Sequence, residues 1–300
     1  MANLKEKVKI LPTTPGIYLM KDQYDEIIYV GKAKNLKQRV RSYFQKNSQH
    51  SKKVLRMVFN IHDFDIIQVD TELDALLLKC QLIQTYHPLY NQQMNHSLRY
   101  SYVTVSPKGI EISSMVSSNS LGPFRQYKKI PIVSQILSEI YQMPWVNHIT
   151  MHALIKQLPE MQKIPLNQRL NEITAFFQGT EQSYLPWMQQ RISYLSEHLH
   201  FELAQALTEQ LNVLTYFFLQ NKELVRFSQQ KKLIFSLPLT ETTNKYYQIS
   251  FGQIIHTQIL PLNEVFQPIE SRVKPFSLTK TTIDPLLILM NYMKKTSKKG

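Results

Sequence analysis

Four side chains near the start of this sequence could act together on one phosphate: the phenols Tyr18 and Tyr29, the ammonium Lys32 and the guanidinium Arg39. Each tyrosine lies in a short β-rich run, GIYLMKD or EIIYVGKA, and a charged turn at QYDE (23–26) joins the two runs. A hairpin of these strands would point both phenols to one face. There they could orient a water, or take its proton if nearby cations raise the acidity of a phenol. Lys32 and Arg39 would offer positive charge to a pentavalent phosphate as its negative charge develops. Gly31 would leave room for a nucleic-acid backbone to come close. Residue types of this kind suit phosphodiester hydrolysis.

The elements that must carry them can be read from periodicity. KNLKQRVRSYF (34–44) has Leu36, Val40, Tyr43 and Phe44 at helical spacing with cations between, and a shorter helical pattern covers 52–60. FDIIQVD (64–70) reads as a third strand. TELDALLLKCQLIQTY (71–86) reads as a helix with Thr71 as N-cap, Asp74 three residues on, and an apolar face of Leu76, Leu77, Leu78, Leu82 and Ile83. His87-Pro88 ends it. Together these predict a small mixed unit.

These residues carry a resemblance. LPTTPGIY, YVGKAKNL, Arg39 and SYF (42–44) resemble the GIY-YIG nucleases, and their UvrC branch in particular. The resemblance implies that Tyr29 or Tyr18 is the general base, that Tyr43 hydrogen-bonds in the same pocket, and that Gly16 and Gly31 serve the motif. TELDALLLKCQLIQTYHPLYN (71–91) resembles the second half of the family's module, where Asn91 would support the active site. A divalent cation, magnesium or manganese, is implied as cofactor. The glutamate that binds it in the family falls on Lys79 here, and a protonated lysine has no lone pair for a metal. Three readings follow: DNA affinity kept and cutting lost; a slow nuclease in which Lys79 partly replaces the metal's charge; or a substitute carboxylate. Glu72, about two helical turns or roughly 10 Å away, is the best substitute.

The resemblance continues more weakly. LGPFRQYKKIPIVSQILSEIYQ (121–142) is similar to the UvrC segment after the nuclease domain. Residues 176–214 are similar to the entry into the family's UVR motif and to the motif itself, at Leu199, Phe201, Glu202, Ala204, Leu207 and Leu211, with Thr208-Glu209 in place of Arg-Asp. In the family this hairpin pairs with UvrB, so Phe201, Glu202 and Leu207 are the candidate partner contacts; the other reading is an amphipathic hairpin packed on its own chain. The predicted class is α+β: a GIY-YIG nuclease-like domain (1–100), a connecting region (101–182), a UVR-like helical hairpin (183–220), a small β unit (221–270) and a basic C-terminal tail (271–300) whose KKTSKKG end is expected to be disordered. This layout resembles that of a truncated UvrC, comparable to its shorter homologue Cho, and the resemblance implies incision on the 3′ side of a lesion.

Composition bounds the rest. The net charge is +13, and residues 1–60 hold thirteen Lys or Arg against four carboxylates. Such a balance favours polyanionic partners, DNA above all. With Cys80 as the single cysteine, an intrachain disulfide is excluded and no cysteine-held iron–sulfur cluster is expected. His198 and His200 read as surface or packing residues. No P-loop or Rossmann glycine pattern appears, which argues against ATP use. No apolar run has the length of a signal peptide or membrane span, so the expected location is cytoplasmic.

Overall fold

The computed structural model describes residues 2–45, 51–91, 100–275 and 277–297, and the chain divides into two compact units. The first is made from Met1–His96, Gln230–Phe276 and Thr281–Gly300; the second from Ser97–Gln229 and Ser277–Lys280.

In the N-terminal part of the first unit the elements run α1 (Ala2–Lys9), β1 (Gly16–Lys21), β2 (Ile27–Ala33), α2 (Leu36–Phe44), α3 (Lys52–Asn60), β3 (Asp63–Gln68) and α4 (Glu72–Tyr86). The strands form an antiparallel sheet of order β2-β1-β3. Alternation along the strands sorts their side chains to two faces. Tyr18 and Met20 pack with α1, α2 and α3 through Leu4, Val8, Leu36, Val40 and Met57. Ile17, Leu19 and Val30 pack instead with Ala75 and Ile83 of α4. The sheet is thus a central layer, with β1 buried on both sides. Asn35 caps α2, its side chain accepting from Gln38 N at 2.9 Å. Thr71 and Asp74 form the capping box predicted for α4. The buried face of α4 departs from the prediction: Leu73, Ala75, Cys80 and Ile83 are buried, whereas Leu76, Leu77, Leu78 and Leu82 are half-buried. A run of three leucines gives no phase by itself; packing against β1 and β2 chooses it.

The second unit contains β4 (Ser101–Ser106), β5 (Gly109–Ser113) and β6 (Leu121–Phe124) in an antiparallel sheet of order β5-β4-β6. Helices α5 (Ile130–Ile140), α6 (His148–Gln157), α7 (Leu166–Gln178), α8 (Tyr184–Glu197) and α9 (Phe201–Gln229) follow. Phe124, Phe176, Phe177, Tyr184, Phe217 and Phe218 meet at ring-centroid distances of 5.1 to 6.1 Å and form an aromatic centre for the helices. α8 and α9 make the predicted hairpin, with α9 running on to Gln229.

The chain then returns to the first unit with β7 (Leu233–Pro238), β8 (Thr243–Ser250) and β9 (Gln253–Pro261), an antiparallel sheet of order β7-β8-β9. The segment KYYQISFGQIIHTQILPL (245–262) folds back at Phe251-Gly252, both at positive φ (51° and 75°) as a tight hairpin turn requires. Tyr247 and Lys245 of β8 reach the start of α4. The Tyr247 hydroxyl lies 2.6 Å from Thr71 Oγ1 and donates to Asp74 Oδ1 at 3.1 Å. Lys245, 8% exposed, donates to Asp70 at 2.7 Å and Asp74 at 2.9 Å. The basic tail contains a helix, α10 (Lys280–Ser297), which runs into the KKTSKKG end expected to be disordered. Its buried Ile283, Leu286, Leu289 and Met290 lie at helical spacing, a stripe that the lysines at its end obscure in the sequence.

Candidate active site

The hairpin of β1 and β2 brings two phenols together by register. Tyr18 stands opposite Gly31 and Met20 opposite Tyr29, so Tyr18 and Tyr29 lie diagonally on one face. α2 adds Tyr43 and Arg39. The three rings form a triangle with centroids 5.8 to 6.4 Å apart. The Tyr18 and Tyr43 hydroxyls are 2.9 Å apart. Arg39 Nε donates to the Tyr18 hydroxyl at 3.4 Å, and its guanidinium lies 5.1 Å from the Tyr43 ring centre.

Gly31 makes this cluster possible in a way that differs from the sequence reading. A Cβ there would fall 2.0 Å from Cζ of Tyr18. The space the glycine leaves is filled by the chain's own phenol rather than kept for a nucleic-acid backbone. At Gly16 a Cβ would fall 2.5 Å from the Ile67 carbonyl and 2.6 Å from Leu36, so that glycine lets α2 and β3 close on β1.

Lys32 leaves β2 on the opposite face from Tyr29, toward α4, and pairs with Glu72 at 2.6 Å. Lys34 meets the other oxygen of the same carboxylate at 3.2 Å. Burial pushes the Glu72 carboxyl up, but the two lysines outweigh it and hold the group below its ordinary value. Lys79, half-buried on α4, lies within the field of both Lys32 and Arg39. Burial first, and then these two cations, hold its ammonium below its ordinary value. Lys79 is thus subject to a cation from each of the two clusters. Asn91, buried, forms a two-way clamp on β2: Val30 N donates to its Oδ1 at 2.7 Å, and its Nδ2 donates to Val30 O at 2.8 Å. It touches none of the tyrosines through these bonds and acts on the site by holding the strand that carries Tyr29.

Two chemical expectations meet opposing features in the site. Proton abstraction by a phenol made acidic by cations is opposed by burial. Burial above all, then the neighbouring phenols, pushes Tyr18 far above its ordinary value, and burial followed by Tyr43 pushes Tyr29 up to about 12. A resident divalent cation does not fit the residues present either. Glu72, the candidate substitute, is occupied by two lysines, and the position that the resemblance gives to the metal-binding glutamate holds Lys79. What the arrangement can do is bind an oxyanion through Arg39, Lys79 and the phenolic hydroxyls.

On the UVR-like hairpin the three candidate partner contacts separate. Phe201 is 62% exposed and Glu202 is exposed, whereas Leu207 is 6% exposed and belongs to the core of the second unit. Leu207 is unavailable to a partner without opening that core, because it and Ala204 face inward on α9. His198 and His200 are both exposed, and His198 stacks on Tyr194 with ring centres 4.1 Å apart. No described helix is long and apolar enough to cross a membrane.

Comparison with known proteins agrees with the motif. Residues 14–92 match the model of the UvrC-like GIY-YIG domain. The chain is 30% identical over 237 residues to UvrABC system protein C of Clostridioides difficile strain 630, an alignment covering 71% of this chain and 39% of that protein. It is 31% identical over 234 residues to the Clostridium tetani protein of the same name, covering 70% and 38%. The chain thus spans about two fifths of the length of the curated relatives it matches. Among solved structures, the magnesium-bound N-terminal endonuclease domain of UvrC from Thermotoga maritima is 34% identical, covering 30% of this chain and 98% of that one, with a TM-score of 0.28.

Proposed function

We propose, from the premise that this chain is a UvrC homologue with a GIY-YIG domain at residues 14–92, that it acts on DNA in nucleotide excision repair and grips a phosphodiester at the Tyr18–Tyr29–Tyr43–Arg39 cluster. Relatedness to UvrC supports a phosphodiester hydrolysed 3′ to a lesion. One observation favours a second reading for this chain: an ammonium, Lys79, where the family's resemblance requires a carboxylate, with Glu72 held by Lys32 and Lys34. On that reading the protein binds DNA as a homologue or adaptor of the excinuclease without metal-dependent cutting of its own. The first reading rests on relatedness to UvrC, and the second on Lys79 together with the pairing of Glu72 to two lysines. An interaction with a UvrB-like helicase subunit through the α8–α9 hairpin belongs to the same proposal, with Phe201 and Glu202 as its contacts.

A nicking assay on lesion-bearing duplex in magnesium or manganese, with and without a UvrB partner, divides the two readings. The expected result is binding without cutting by the natural chain, and gain of cutting by Lys79→Glu. If the natural chain cuts and Tyr29→Phe does not, the endonuclease reading stands and the binding-only reading is discarded.

A further inference from the structure

α3 is an amphipathic helix whose outer face has the wrong composition for a face made only to meet water. Met57 is buried, and Val54 and Val58 pack against the same core that holds Tyr18 and Tyr43. At 100° per residue, Lys52, Leu55, Arg56 and Phe59 share the opposite face, and all four are exposed. Leu55 is 53% exposed and Phe59 78% exposed. Folding explains Met57 but leaves Leu55 and Phe59 without a role. The charge is also one-sided. α3 has no acidic residue and opens with Lys52 and Lys53, the reverse of what the dipole of an isolated helix favours. Anions placed near this N-terminus would reverse the penalty.

We infer that the outer face of α3 is a nucleic-acid contact, in which Phe59 stacks on an unpaired base while Lys52 and Arg56 hold the neighbouring phosphates. The inference rests on the DNA-binding reading above and adds a preference to it. A rigid aromatic ring beside cations suits a base that has left its stack, because every base offers a π-face. Intact duplex hides those faces, and the cations can still bind its backbone. The charge of α3 favours a polyanion over an apolar protein partner as occupant.

The test measures binding of the full chain to two fluorescent duplexes of equal length, one fully paired and one with a short unpaired bubble, in low salt without divalent cations. The natural chain should bind the bubble more tightly. Phe59→Ala should weaken bubble binding roughly tenfold while leaving paired-duplex binding and the melting temperature nearly unchanged; Phe59→Trp should keep the preference. Arg56→Gln should weaken both DNAs alike and flatten the salt dependence. Equal binding of the two DNAs by the natural chain, or equal loss on both with Phe59→Ala, overturns the inference while DNA binding itself survives. Binding to neither DNA would overturn the proposed function as well.

Discussion

At the scale of single residues, Gly31 and Lys79 make the sharpest demands. Gly31→Ala places a methyl group inside the Tyr18 ring, and a buried ring with its hydroxyl bonded to Tyr43 has little room to yield. The substitution should destabilise by about 1–3 kcal/mol, the usual range for overpacking, read by urea denaturation. Lys79 should act in the opposite sense. Its folded-state pKa is depressed, so the folded protein carries a penalty at any pH where the ammonium is charged. Stability attributable to this group should rise as pH climbs through the depressed folded value and level off near the ordinary lysine value. Lys79→Met should therefore stabilise the protein at pH 7, with a gain that shrinks toward pH 10. Thermal melts of both proteins across that range would check it; a gain that is constant with pH would show that packing alone is responsible. The types and spacing of Tyr18, Tyr29, Arg39 and Tyr43 were legible in the sequence because hairpin and helix periodicity place them. The use of Gly31 was not, since a missing Cβ does not say what fills the gap.

At the scale of elements, the site depends on two tethers. Asn91 satisfies the N–H and C=O of Val30 on β2, and Asn91→Ala would leave both buried groups unpaired. The expected cost is about 2–4 kcal/mol, with faster hydrogen exchange at Val30 as the local signature. The other tether is the start of α4, where Thr71 caps the helix and meets Tyr247. Thr71→Val should cost about 1–2 kcal/mol and Tyr247→Phe about 1 kcal/mol in chemical denaturation. Because both remove one shared contact, the double variant should cost less than their sum. The capping box was readable as Thr71 and Asp74 at their spacing. Tyr247 was not: one buried tyrosine in a β-rich run carries no mark of a partner 176 positions away.

At the scale of the whole molecule, charge and chain order set the behaviour. A net charge of +13 predicts DNA affinity that falls about a thousandfold between 50 and 200 mM salt if it rests on several phosphate contacts; anisotropy titrations at four salt concentrations would give the slope. The division into units was only partly legible. Five consecutive segments could be read along the sequence, but the first unit gathers its residues from both sides of the second. Local periodicity records which segments form strands and helices, and it is silent about which distant strands share a core. α10 was missed for a related reason: lysines dominate the composition of its end, while its apolar stripe matters only once a core exists to receive it.

The pairing of Lys245 with Asp70 and Asp74 also sets a timetable during synthesis. A ribosome adding roughly 5–20 residues per second needs on the order of ten to thirty-five seconds to pass from α4 to β8. Through that interval the emerging hairpin and its helices exist without their last support, with two carboxylates awaiting a cation not yet made.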